Sequence, residues 1–214
     1  MTNAPVREPV RVVTVSATYG AGGSVIAPQL AARLGLAFDD RVITAATASK
    51  LESLSDEERS EAPPSRWLSA LSRMASMVPS APVPLDADLD AISDLRRKSE
   101  GHIKEALAQG PTVFLGRAAA VVLAGRPRAF HVRLDGPLAR RIGRAVTIEQ
   151  ASEAEARARC ETTDRARAHF VRRLYGVDPA DPALYHLVLD TTSFATPDAV
   201  ELLAAAAMAF WSVN

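Results

Sequence analysis

Three glycines and a serine, Gly20, Gly22, Gly23 and Ser24, fall within five residues in the stretch VSATYGAGGSVIAPQL. A β-branched run precedes them, and Ile26, Leu30 and Leu34 recur every four residues behind them. A turn between strand and helix gathers backbone N–H groups and the positive end of a helix dipole around one concavity. Such a concavity binds an anion by geometry alone. Against the pattern G-x-x-x-x-G-K-[ST], Gly22 is the second glycine and Ser24 the hydroxyl that would touch Mg²⁺. Ala17 stands at the first glycine and Gly23 at the lysine. Two readings stay open: a phosphate cradle made by residues 20–24, Ala21 included, or a glycine-rich turn that only packs closely.

Arginine supplies the other chemistry. Twenty-five basic and 25 acidic side chains cancel, and only three of the basic ones are lysine. Residues 117–173 nevertheless carry 13 Arg against six acids. Arg117 follows an expected strand, at the edge where open α/β sheets bind ligands; a salt bridge capping the sheet is the other reading. Arg140, Arg141 and Arg144 span about one helical turn, and the three-residue spacing of Asp164 and Arg167 puts both on one face. Guanidinium forks suit phosphate clamping. The alternative is a solvated helix laced with i,i+4 pairs, for which Glu153–Arg157, Glu155–Arg159 and Glu161–Arg165 have the right polarity. Asp39 and Asp40 end an expected strand and could hold a Mg²⁺-bound water or a ribose hydroxyl, with N-capping by Asp39 as the competing role.

The positioning elements follow from periodicity. Strands are expected at 11–16, 36–38, 111–116, 128–134 and 185–191, with helices between them. That alternation implies a parallel sheet covered on both faces. Residues 1–10 read as a loose tail and 11–214 as one domain. Residues 52–86 are rich in Ser, Pro and charge, and a helix from about Asp88 to Gln109 follows. The single cysteine, Cys160, excludes an intramolecular disulfide and a cysteine metal site, and the four histidines show no ligand spacing. The balanced charge, the polar start MTNAPVREPVR and an apolar run (LLAAAAMAFW) too short to span a bilayer lead to the expectation of a cytoplasmic protein. No nucleic-acid or membrane partner is expected, and a homo-oligomer stays open.

Taken in order, the segments resemble the cytidylate-kinase-like family of P-loop proteins, relatives of nucleoside monophosphate kinases. Ser16, Gly20, Gly22 and Gly23 match its opening S-R-x-x-G-S-G-G, and Ile26-Ala27 its first helix. Asp40-Arg41-Val42-Ile43 matches part of its Tyr-Asp-Lys/Arg-x-Ile-Ile turn. FLGRAAAVVL, DGPLARRIGRA and the stretch TDRARAHFVRRLYGVDPADPALYHLVLDTTSF resemble its strand-GR-helix segment, its "APL…R…R" helix and its lid helix, turn and closing strand. The resemblance implies a P-loop NTPase-type three-layer α/β/α fold with a five-stranded parallel sheet. It also implies a helical insertion at 44–109 that binds the acceptor and an Arg-rich lid at 140–175.

Function follows from the same resemblance: transfer of the γ-phosphoryl of ATP, with Mg²⁺, to a CMP-like acceptor. Residues 20–24 would cradle the donor phosphates, and Ser24 and Asp40 would serve Mg²⁺. Asp40, Arg41, Arg117, Asp164 and Arg167 would hold the acceptor; Arg117, Arg140, Arg144 and Arg167 would act on the transferred group. The chain also departs from its relatives. Where the family carries Arg after the first Ser and often after the double glycine, Ala17 and Ser24 stand; the D-G-R-D of cytidylate kinases is Leu115-Gly116-Arg117-Ala118. A catalytically weak nucleotide-binding or regulatory protein of the same fold is therefore the second expectation.

Overall fold

The computed structural model describes residues 10–40, 85–116 and 118–213. Five strands, β1 (Val12–Ala17), β2 (Ala37–Asp39), β3 (Thr112–Leu115), β4 (Ala129–Asp135) and β5 (Leu187–Asp190), form one sheet in the order β2-β3-β1-β4-β5. Every pairing is parallel, with Val13 opposite both Val113 and Phe130. Each strand lies within one or two residues of its expected place. Helices α1 (Gly23–Leu34), α2 (Leu85–Gln109), α3 (Ala119–Val122), α4 (Leu138–Glu149), α5 (Glu153–Tyr175) and α6 (Thr196–Val213) connect and cover the strands.

Alternation along β1 divides the core. Val13 and Val15 face α1 and α6 and join Ile26, Leu30, Leu203 and Ala207 in the larger apolar cluster. Val12 faces the other side, where Phe114 and Ala129 meet Ile103 of α2 and Ala119 of α3. The result is the three-layer arrangement that a run of buried parallel strands requires. Helix α5 rests on α3 through Phe170, Val171 and Leu174 against Ala118, and α4 lies on α5 through Ile142 and Ala145 against Ala156 and Cys160.

The expected lid is thus two helices, divided at Gln150 and restarted by a capping box between Ser152 and Glu155. That box changes the expected ion pairs. Glu155 turns back to Ser152, and Arg159 bonds Glu149 of α4 instead. Arg157 lies 3.9 Å from both Glu153 and Glu161. A helix start needs its N–H groups satisfied more than its flank needs another exposed pair.

The sheet also buries a histidine. His131 on β4 bonds Thr14 Oγ1 at 2.8 Å through Nδ1, its ring stacks on His186, and its peptide N–H donates to His186 Nδ1. Burial, reinforced by His186, pulls its pKa down to about 4, so the ring is neutral in the fold. An unfolded histidine takes a proton near pH 6.5. The stability it contributes is therefore present above that pH and lost as pH falls towards 4, by about 3 kcal/mol at most. Urea midpoints measured between pH 7 and 4 should fall over this window, and His131→Gln should flatten the slope. An identical slope in the variant would contradict the assignment.

Candidate phosphate-binding site

Sequence composition explains the shape of the loop after β1. Gly22, at φ +81°, is the N-cap of α1, which begins at Gly23. A Cβ on Gly20 would lie 2.5 Å from the Arg141 carbonyl oxygen, so only glycine lets the loop approach α4 this closely. A Cβ on Gly23 would lie 2.6 Å from the Ala17 methyl and 3.3 Å from Leu115 Cδ1. The two departures from the phosphate-loop pattern are therefore one packing solution: the methyl at 17 fills the space in which a side chain at 23 would begin.

Five of the loop's carbonyls are tied down by the fold. Ala17 O accepts from Arg167 at 2.9 Å and Thr18 O from the Ala21 N–H. Tyr19 O accepts from Arg141 and Ala21 O from Thr191 Oγ1 at 2.6 Å. Gly22 O takes the N–H groups of Val25 and Ile26. The Tyr19 N–H donates to Asp164 Oδ1. Among the described residues, no acceptor faces the N–H groups of Gly20, Gly22, Gly23 or Ser24. Four uncommitted donors at the N-terminus of a 12-residue helix are a candidate anion site.

These donors line a cavity of about 530 Å³ at the carboxyl edge of the sheet. Its apolar wall includes Leu115, Val121, Phe170 and Val171, and its polar wall includes Arg133, Asp135, Arg141 and Arg167. Arg167 reaches in from α5, and burial lowers its pKa, which marks a thinly solvated cation. Arg144 donates to Thr191 O and Thr196 Oγ1, with its guanidinium 3.3–3.5 Å from where a Gly22 Cβ would sit. The cations absent from the loop's own sequence thus stand beside it on α4 and α5.

Asp135 ends β4 and braces the cavity floor, accepting from Thr18 Oγ1, the Gly136 N–H and Arg133. Burial alone would raise its pKa, but these donors outweigh it and hold the carboxyl below its ordinary value. Arg133 also bonds Pro179 O, tying β4 to the turn after α5. On the rim, burial and the hydrogen bond to Glu149 push the Tyr19 phenol up to about 12.

The remaining expected residues are placed as follows. Arg140 points away from the cavity, bonding Asp190 and Ser193 at 2.7 Å each. Asp40 lines a separate groove with Phe38 and His102, and Asp39 pairs with His102 at 2.6 Å. Arg41 and Arg117 lie outside the described residues, as do positions 44–84 of the expected insertion; Gly116 and Ala118, on either side of Arg117 in the chain, both line the cavity. Arg141, grouped in the sequence with Arg140 and Arg144 but given no site role of its own, lines the cavity, as do Tyr19 and Asp135, which the sequence did not single out; nor did it single out Thr191, which holds Ala21 O. Arg141 had a visible signal, because it shares the i, i+4, i+7 stripe of Ala145 and Ile148 that faces the cavity.

Mg²⁺ fits a limited donor set. Among the described residues there is no group of three or more His, Cys, Asp or Glu side chains that could hold a metal ion. The exposed Ser24 hydroxyl has no protein partner there, which suits one ligand to an ion otherwise held by phosphates and water. No helix among the described residues is long and apolar enough to cross a membrane.

A model of the cytidylate kinase-like family matches residues 12–193. The chain is 33% identical over 129 residues to a cytidylate kinase from Methanopyrus kandleri, covering 56% of this chain and 63% of that one. It is 30% identical over 138 residues to a uronate isomerase from Corynebacterium glutamicum, covering 64% of this chain but 26% of the isomerase. Both matches span less than two thirds of the relative's length. Among solved structures, an uncharacterized protein from Eubacterium ventriosum superposes with a TM-score of 0.58 at 13% identity, over 92% of this chain and 98% of the other. That likeness is one of fold.

Packing of Ala17 against position 23 is testable without a ligand. Gly23→Ala should cost about 1–3 kcal/mol by overpacking, read as a lower thermal midpoint. The same substitution in an Ala17→Gly background should cost clearly less. Equal losses in the two backgrounds would show that the residues do not compete for one space.

Proposed function

Because the chain belongs to the cytidylate kinase-like family, we propose that it moves the γ-phosphoryl group of ATP, with Mg²⁺, to a phosphorylated acceptor, with a CMP-like nucleotide as the first candidate. The observation that carries this reading is the set of uncommitted N–H groups at Gly20, Gly22, Gly23 and Ser24, beside carbonyls at Ala17, Thr18, Tyr19, Ala21 and Gly22 that are bound elsewhere. Phosphoryl transfer asks a protein mainly for positioning and for neutralisation of charge on the migrating group. The N–H set and the α1 dipole would seat the donor phosphates. Mg²⁺, when bound to Ser24 and phosphate oxygens, would supply charge neutralisation.

In the transfer, an acceptor phosphate oxygen attacks the γ-phosphorus, the bond to the β–γ bridging oxygen breaks, and ADP leaves. Arg144 beside Gly22 and Arg167 over Ala17 are the cations best placed to follow that charge. Arg117, between two cavity-lining residues in sequence, is the expected acceptor ligand, with Arg41 beside it in that role. Arg140 enters only if it leaves Asp190 and Ser193. The apolar wall of Val121, Phe170 and Val171 would exclude water.

The second reading, a nucleotide-binding protein with little turnover, is favoured by one observation. Arg141 and Arg144 each have donors committed to main-chain carbonyls, Tyr19 for one and Thr191 for the other. The two readings separate by ADP release from ATP and Mg²⁺ across a panel of nucleoside monophosphates. Acceptor-dependent turnover is expected, falling by about 10²–10³-fold in Arg167→Ala if that cation stabilises the migrating charge. ATP binding without turnover for any acceptor would favour the second reading. No ATP binding would contradict both.

A further inference from the structure

Asp164 of α5 sits at the end of the loop away from α1. Its Oδ1 accepts the Tyr19 N–H at 2.8 Å, and its Oδ2 accepts Arg141 at 2.7 Å. The same Arg141 nitrogen donates to Tyr19 O at 2.8 Å, so one loop residue, one carboxylate and one guanidinium close a ring. The four uncommitted N–H groups all lie on the α1 side of this ring, at Gly20, Gly22, Gly23 and Ser24. A phosphate chain seated on the helix N-terminus and following the loop backwards past Gly20 would next meet Tyr19. The last main-chain donor on that path already holds an anion belonging to the protein.

We propose that Asp164 sets the length of phosphate chain that the loop accepts. With the carboxylate on Tyr19, the site holds a nucleoside diphosphate about as tightly as a triphosphate. A third phosphate gains Tyr19 and Arg141 only by displacing Asp164 from both. This inference rests on the nucleotide reading of the loop and adds to it a residue that selects between donor and product. It has a kinetic corollary: ADP competes well with ATP for the site.

Calorimetry with ADP and with ATP, each with Mg²⁺, on the wild type, Asp164→Asn and Asp164→Ala tests it. The asparagine keeps an oxygen for the Tyr19 N–H while removing the charge, and thermal midpoints of both variants establish that they are folded. The wild type should bind the two nucleotides within about threefold of each other. Asp164→Asn should tighten ATP at least tenfold and ADP less than threefold. A wild type that prefers ATP tenfold or more, or an ATP-to-ADP ratio unchanged by Asp164→Asn in a protein that binds ADP, overturns the proposal. A wild type that binds neither nucleotide overturns the nucleotide reading itself, and this inference with it.

Discussion

Arg141 is a buried cation, only 8% exposed, that holds three separate parts of the chain. Its guanidinium donates to Gly136 O after β4, to Tyr19 O in the loop and to Asp164 on α5. Removing a charge from water costs several kcal/mol unless partners satisfy it. Here two carbonyls and a carboxylate do so, and each is thereby fixed in place. The backbone of the same residue lies where a Gly20 Cβ would be, so loop and helix are fitted as well as bonded. With Tyr19 O turned to Arg141, Ala17 O to Arg167 and Ala21 O to Thr191, the N–H side of the loop is left facing the cavity. The candidate anion site is a consequence of where the carbonyls are held.

This arrangement gives the absent lysine a physical account. In the pattern G-x-x-x-x-G-K-[ST] the cation is part of the loop. In this chain Gly23 opens α1 with no room for a side chain beside Ala17, and positive charge comes from α4 and α5. Those helices pack on one another through Ile142, Ala145, Ala156 and Cys160, and α5 also rests on α3. Charge at the loop is therefore coupled to helix packing, and any shift of α5 moves Arg167 and Asp164 together.

Much of this was legible in the sequence. β-branched runs and four-residue apolar spacings place all five strands and the main helices, because burial of one face leaves a period that the residues must obey. The glycines mark the loop for the same reason, since Gly20 and Gly23 occupy places that no Cβ fits. Long-range polar contacts were not legible. Asp164 meeting Tyr19 across 145 residues leaves no local pattern, nor does Arg140 turning to Asp190 rather than to the loop. Asp39, expected as a helix cap or a ligand to water, pairs with His102 because α2 lies against that edge of the sheet.

Amide chemical shifts read the four main-chain N–H groups of the candidate anion site directly. Titrating ¹⁵N-labelled protein with Mg²⁺ and ADP should shift the amides of Gly20, Gly22, Gly23 and Ser24 together, with one shared dissociation constant. Binding that shifts other amides while these four stay still would contradict the account.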